Sequence, residues 1–131
     1  MLTNLIVLPE TYSIFKFQKN CDLPGWIFSS GFYSITRTED ELSVVTAQAD
    51  PDPGSEIVNC SRDWRIIKVS GPLDLSMVGV IADIAGILKK EQIPIFTVST
   101  FNTDYFLVRQ NDFSKAIKAL REKGHMISTG Q

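Results

Sequence analysis

Histidine is almost missing from this chain. Its 131 residues include one, His125, and only two cysteines, Cys21 and Cys60. One imidazole and two separated thiols do not make a conventional zinc site without several carboxylates, so no metal is expected. Catalytic-triad chemistry is equally poorly supplied. Long apolar runs are also absent: none approaches the ~20 residues that a membrane span needs. The opening Met1 to Pro9 stretch lacks a basic region and reads as a strand rather than a signal peptide. Cys21 and Cys60 lack C-x-x-C spacing. A disulfide between them stays open, but two isolated thiols in a chain without a signal fit a reducing cytoplasm. An excess of one charge is missing too. The net charge is −2, and no basic stripe with interleaved aromatics exists, which argues against nucleic acid as a partner. Lys and Arg are scattered and read as solvated surface.

What is present is 44% apolar and 21% charged, the balance of a soluble globular protein. The length suits one ordinary domain or two very small ones. Residues 11–18 alternate and read as a strand. Residues 20–31 contain Pro24, Gly25 and Gly31 and hold at best a helical turn around Trp26, Ile27 and Phe28. Residues 32–37 and 42–47 are alternating runs about the charged turn at 38–41, a hairpin signal. Pro51, Pro53 and Gly54 then break the chain, and 54–58 is read as a single short helix.

The second half is clearer. Residues 65–70 form a strand with Ile67 and Val69 on one face. A helix is expected to start near Ser76 or Met77. Val78, Ile81, Ala82, Ala85 and Leu88 make one stripe, widened by Val80, Ile84 and Ile87 until the helix is apolar almost all round. Such a helix needs cover on a second side, from another unit or another subunit. Lys89 and Lys90 complement its C-terminal dipole. Residues 93–101 and 103–109 form a hairpin turning near Asn102. A second helix, capped by Asn111 or Asp112, carries Phe113, Ala116, Ile117 and Leu120 and ends at Gly124. His125 to Ile127 close the unit as a strand, with His125 expected at an exposed strand end.

Strand, helix, strand, strand, helix, strand is the ferredoxin-like βαββαβ order, giving a four-stranded antiparallel sheet with both helices on one face. The first half repeats the plan in degenerate form. At a constant offset, residues 34–45 align with 97–108, and Glu41 falls opposite Asp104. The stretch between its first two strands is shorter and has Pro-Gly where the second half has a long helix. The fold class is therefore α+β, with two tandem ferredoxin-like units and a shortened first helix in the first. The expected boundaries are 1–60 and 61–131. Each unit alone is marginal in size, so the two should pack as one body.

Two loops carry the candidate chemistry. Gly71-Pro72-Leu73-Asp74-Leu75-Ser76-Met77-Val78 leads into the apolar helix, whose N-terminus offers unpaired N–H groups and partial positive charge to a carboxylate. Ser99-Thr100-Phe101-Asn102-Thr103-Asp104 joins two strands, and Asp104 is placed to pair with an ammonium or guanidinium. Ser76, Thr100 and Thr103 add hydroxyls. The same residues also read without a ligand: Asp74 and Ser76 as helix caps, residues 100–104 as an ordinary hairpin turn, Phe101 and Tyr105 as packing. Trp26 and Trp64 read as structural.

The second half resembles the ACT domain, the small regulatory module of amino-acid metabolism. The resemblance rests on Val69 with Gly71, Val78-Gly79-Val80 entering the helix, Ala85 to Leu88 within it, and Ile93 to Ser99 after it. Residues 99–108 make the whole chain similar to short two-ACT bacterial proteins, themselves similar to the halves of the animal cytosolic arginine sensor. The resemblance implies ligand binding at an interface between ACT units and gives Gly71 and Asp74 a part in it. The candidate ligand-binding set is thus Gly71, Asp74, Ser76, Met77 and Val78 with Thr100, Phe101, Asn102, Thr103 and Asp104. The expected function is a non-catalytic, cytoplasmic regulatory protein that binds a small molecule, an amino acid, without a cofactor. A homodimer is expected, with a protein partner left open. Two other readings stay open: an assembly module with a decayed pocket, and a small enzyme using Asp74, Asp83, Asp104 or His125.

Overall fold

The computed structural model describes residues 3–48, 56–70 and 79–129. The chain divides into two compact units, residues 10–63 and residues 1–9 with 64–131. Among the described residues no helix is long and apolar enough to cross a membrane.

The first unit contains β2 (Tyr12–Phe17), a 3-10 helix (Gly25–Ser29), β3 (Ser34–Arg37), β4 (Leu42–Ala47) and the first part of β5 (Ile57–Val69). Its strand order is β3-β4-β2-β5. Alternation places Phe15 opposite Val44 and Phe17 opposite Leu42, and these four fill its core with Ile27 and Cys21. The shortened helix follows from Pro24 and Gly25, which leave room for a single 3-10 segment. Ile27 is fully buried, and its carbonyl accepts the Thr46 hydroxyl at 2.9 Å. Trp26 packs edge-on against Phe15, with centroids 5.4 Å apart. The helix expected at 54–58 is not formed by its described part: Ile57 and Val58 already belong to β5. Polar residues at 59, 61, 62 and 63 hid this strand, which also carries Asp63 at φ 65. Gln48 holds that residue, accepting its N–H at 2.8 Å and donating to Oδ1 at 3.0 Å.

The second unit contains β1 (Asn4–Val7), the last part of β5, α1 (Val80–Lys90), β6 (Ile95–Ser99), β7 (Asp104–Arg109), α2 (Gln110–Glu122) and β8 (Met126–Thr129). Its strand order is β8-β1-β5-β7-β6. The expected four-stranded sheet has gained a fifth strand. β1 lies between β5 and β8, antiparallel to the first and parallel to the second. Residues 4–7, expected in an N-terminal unit ending at 60, thus belong to the sheet of the second unit. The reason is apolar: Leu5 and Val7 face inward and are almost completely buried, and Leu5 joins Ile67 and Val69 in the core. Both helices cover one face, through Val80, Ile84 and Leu88 of α1 and Ala116 and Leu120 of α2.

α1 buries only one stripe. Ile81 remains 39% exposed, and Ala82 and Gly86 are exposed beside it. The helix starts at Val80, later than Ser76 or Met77, with Gly79 as its N-cap. α2 starts at Gln110, so Asn111 and Asp112 sit in its first turn rather than at the cap. It ends as expected at Gly124, whose φ of 96° suits a residue without Cβ.

The two hairpins are built alike. Thr38 N–H donates to the Glu41 carbonyl at 2.8 Å, and Thr100 N–H donates to the Thr103 carbonyl at 2.8 Å. Arg37 pairs with Leu42, and Ser99 pairs with Asp104. The structural counterpart of Asp104 is therefore the fully buried Leu42, not Glu41. A shift of one residue reverses every side chain's face, so the first unit carries no carboxylate at this position.

Candidate functional site

The site is built at one end of the second unit's sheet. β5 ends at Val69, and β7, its antiparallel neighbour, begins at Asp104. Val80, the first residue of α1, shares a core cluster with Val69 and Phe106. The end of β5, the β6–β7 turn and the start of α1 therefore meet at this end.

Thr100, Phe101, Asn102, Thr103 and Asp104 come together in the turn. Thr103 is 5% exposed, and its hydroxyl donates to the Val69 carbonyl at 2.6 Å. The Thr100 hydroxyl accepts the Thr103 N–H at 3.3 Å and donates to the Thr103 carbonyl at 3.1 Å. Both hydroxyls are thus committed to the fold, leaving little hydrogen-bonding capacity for a guest. Phe101 is 81% exposed and does not serve as packing. Asn102 is exposed beside it. Asp104 is half-buried, and its Oδ1 accepts the Ser99 hydroxyl at 2.7 Å. Among the described residues Oδ2 has no partner, so this carboxylate keeps acceptor capacity for a cation.

The start of α1 offers the complementary charge. Gly79 at the N-cap has φ 96°, and among the described residues no side chain caps the helix. Its carbonyl accepts the Asp83 N–H at 2.7 Å. The first-turn N–H groups carry the partial positive charge of the helix dipole. Gly71, Asp74, Ser76, Met77 and Val78 lie outside the described residues.

His125 differs from the sequence expectation. It is 4% exposed, not an exposed strand end. Its Nδ1 accepts the Thr3 N–H at 3.2 Å, and Nε2 lies 3.3 Å from Asp83 Oδ2. Asp83, expected as a surface charge, is this histidine's partner. With both ring nitrogens engaged, His125 has no free nitrogen for proton transfer to a substrate. The signal missed was the ladder: once β8 lies beside β1, the residue before β8 must lie beside Thr3.

Among the described residues no three His, Cys, Asp or Glu side chains are grouped to hold a metal ion. The cysteines are free, Cys21 buried and Cys60 half-buried. Burial pushes the Cys21 thiol above its ordinary range, and the hydrogen bond and negative charge of Glu56 push it further.

The ACT domain family model matches residues 59–122, and a second model, of an N-terminal domain, matches residues 10–50. Protein Atu0741 from Agobacterium tumefaciens is 33% identical, with a TM-score of 0.88 over 100% of this chain and 96% of that one. Residues 59–122 belong to the ACT-domain family. The cytosolic arginine sensor for mTORC1 subunit 1 of Bos taurus is 29% identical to the ACT-domain chain over 100 residues, 72% of it and 30% of the sensor. The chain thus spans about a third of the sensor's length. The ligand-free regulatory subunit of aspartate kinase from Thermus thermophilus covers 95% of this chain, with 99% of its own length matched, at a TM-score of 0.66. At 13% identity that likeness concerns the fold alone. The fold is that of tandem ferredoxin-like ACT units, the first with its helix reduced to the 3-10 segment.

Proposed function

We propose that this ACT-domain protein is a non-catalytic regulator that binds a free amino acid at the end of the second unit's sheet. The observation that carries the reading is the Asp104 carboxylate, with one oxygen free among the described residues, at the same end of the sheet as the N-terminus of α1. An α-amino acid presents an ammonium to the first and a carboxylate to the second. Gly71, Asp74, Ser76, Met77 and Val78 are proposed to complete that wall, and a neighbouring ACT unit to close the pocket. The similarity to an arginine sensor supports an amino acid as the ligand class, and Asp104 suits a guanidinium as well as an ammonium. Leu42 at the equivalent position of the first unit confines this recognition to the second. The exposed Ile81 on α1 supports a homodimer as the working form.

The assembly-module reading has one observation in its favour: the Thr100 and Thr103 hydroxyls are engaged within the fold. Calorimetric titration of the native oligomer with the twenty amino acids separates the readings. A saturable heat with at least one of them, weakened in Asp104→Ala, supports sensing. No heat from any, with the protein folded, supports assembly.

A further inference from the structure

The first strand is tied to both borders of the stretch between β5 and α1, to the near one directly and to the far one through His125. Ser70, the last described residue before that stretch, donates its N–H to the Asn4 carbonyl at 2.8 Å. On the far border, Asp83 in the first turn of α1 reaches His125, which in turn holds the Thr3 N–H. Thr3 is fixed a second time by its carbonyl, which accepts the Met126 N–H at 3.2 Å. A single buried imidazole therefore ties α1, which belongs to no backbone ladder, to the paired starts of β1 and β8.

The geometry also sets the tautomer. Nδ1 accepts an N–H, so it carries no hydrogen, and the ring proton sits on Nε2, which faces Asp83 Oδ2 at 3.3 Å. Each nitrogen has one task. Nδ1 retains the first strand, and Nε2–H orients the carboxylate on the helix. A leucine of similar volume would fill the space and perform neither.

We propose that His125 is a positioning residue that couples retention of β1 in the sheet to the placement of the first turn of α1. In its ligand arm the proposal rests on the reading of α1 as one wall of the amino-acid site. A guest that fixes α1 then also fixes β1, and a loosened β1 weakens the guest by the same factor, because linkage is reciprocal. The N-terminal strand, which is extra to the βαββαβ plan, thus gains a regulatory part. Any partner or modification that peels it away lowers ligand affinity.

Two amide substitutions divide the residue's tasks. The Asn side chain places its oxygen near the position of Nδ1, so His125→Asn keeps the Thr3 bond and loses Asp83. The longer Gln side chain carries its NH2 toward the position of Nε2, so His125→Gln keeps Asp83 and loses Thr3. Residue-resolved amide hydrogen exchange on the full chain reads both. Without ligand, His125→Gln is expected to speed exchange at Thr3 and the β1 amides by up to about tenfold, as the loss of one hydrogen bond allows. Its α1 amides should stay at wild-type rates. His125→Asn should do the opposite, speeding Asp83 and Ile84 and sparing Thr3. With L-arginine as the probe, wild-type β1 amides should become slower to exchange, and both variants should lose that response while still binding. If L-arginine does not bind, the amino-acid reading fails for that probe, and the ligand-free arm alone judges the coupling. Both variants disturbing the same amides, or neither disturbing any, would overturn the proposal. So would a 15N spectrum of the imidazole with the proton on Nδ1.

Discussion

Thr103→Val is the sharpest test of how the β6–β7 turn is made. Valine keeps the shape and β-branching of threonine but removes the hydroxyl that donates to the Val69 carbonyl at 2.6 Å. Thr103 is 5% exposed and Val69 fully buried, so water has poor access to the abandoned acceptor. Leaving a buried acceptor short of a partner costs about 1–3 kcal/mol, against about 1 kcal/mol for an ordinary net hydrogen bond. The short bond and deep burial place the expected loss near 2 kcal/mol. With an unfolding entropy of about 2 cal/mol/K per residue, a chain of this length should lose about 7 °C in Tm. Thr103→Ser keeps the donor and should lose only about 1 kcal/mol, for one methyl group. Urea and thermal unfolding followed by circular dichroism measure both. The same pair separates the residue's two possible roles. A structural hydroxyl gives a Val variant that is less stable than Ser. A ligand-contacting hydroxyl gives a Val variant of near wild-type stability that binds amino acids more weakly. A Val variant as stable as wild type would refute the reasoning.

Other consequences follow from single residues. Gly79→Ala should destabilise the protein by about 1–2 kcal/mol in urea unfolding. A Cβ there meets open space, so the cost is the φ of 96° alone. Phe101→Ser should leave stability within about 0.5 kcal/mol, since the ring is 81% exposed. A weaker amino-acid titration in that otherwise stable variant would place the ring on the ligand. The raised Cys21 thiol makes a signed prediction. The native state keeps its proton after the unfolded chain has lost it. Stability from this group is therefore whole below the unfolded thiol range, near pH 8.5, and falls as the pH rises beyond it. Unfolding of wild type and Cys21→Ala between pH 7 and pH 10 should show a decline present in the first and smaller in the second.

Much of the second unit could be read from its sequence, because its elements announce themselves locally. Ile67 and Val69 alternate, Val80, Ile84 and Leu88 repeat at helical spacing, and Gly124 stops α2 where a left-handed residue is needed. What escaped was non-local. Residues 4–7 look like a strand in any setting, and nothing in four residues names β5 and β8 as partners. With that pairing unknown, the burial of His125 beside Thr3 and Asp83 was also hidden. The hairpin alignment failed by one residue for a related reason. Glu41 and Asp104 are chemically alike, but the turn hydrogen bonds equate Leu42 with Asp104. The candidate site was half visible: residues 100–104 do gather in one turn, yet two of the three groups expected to greet a guest spend their hydrogen bonds on the fold.

The central claim is that Asp104 holds the cationic group of an amino acid. Isothermal titration of wild type, Asp104→Asn and Ser99→Ala with the amino acid giving the largest heat tests it most directly. Asn preserves size and removes the charge. The account predicts at least a tenfold weaker Kd for Asp104→Asn, about the 1.5–3 kcal/mol of a charge-assisted bond, with unfolding unchanged within about 1 kcal/mol. Ser99→Ala should move affinity far less. Equal affinity in wild type and Asp104→Asn would contradict the account.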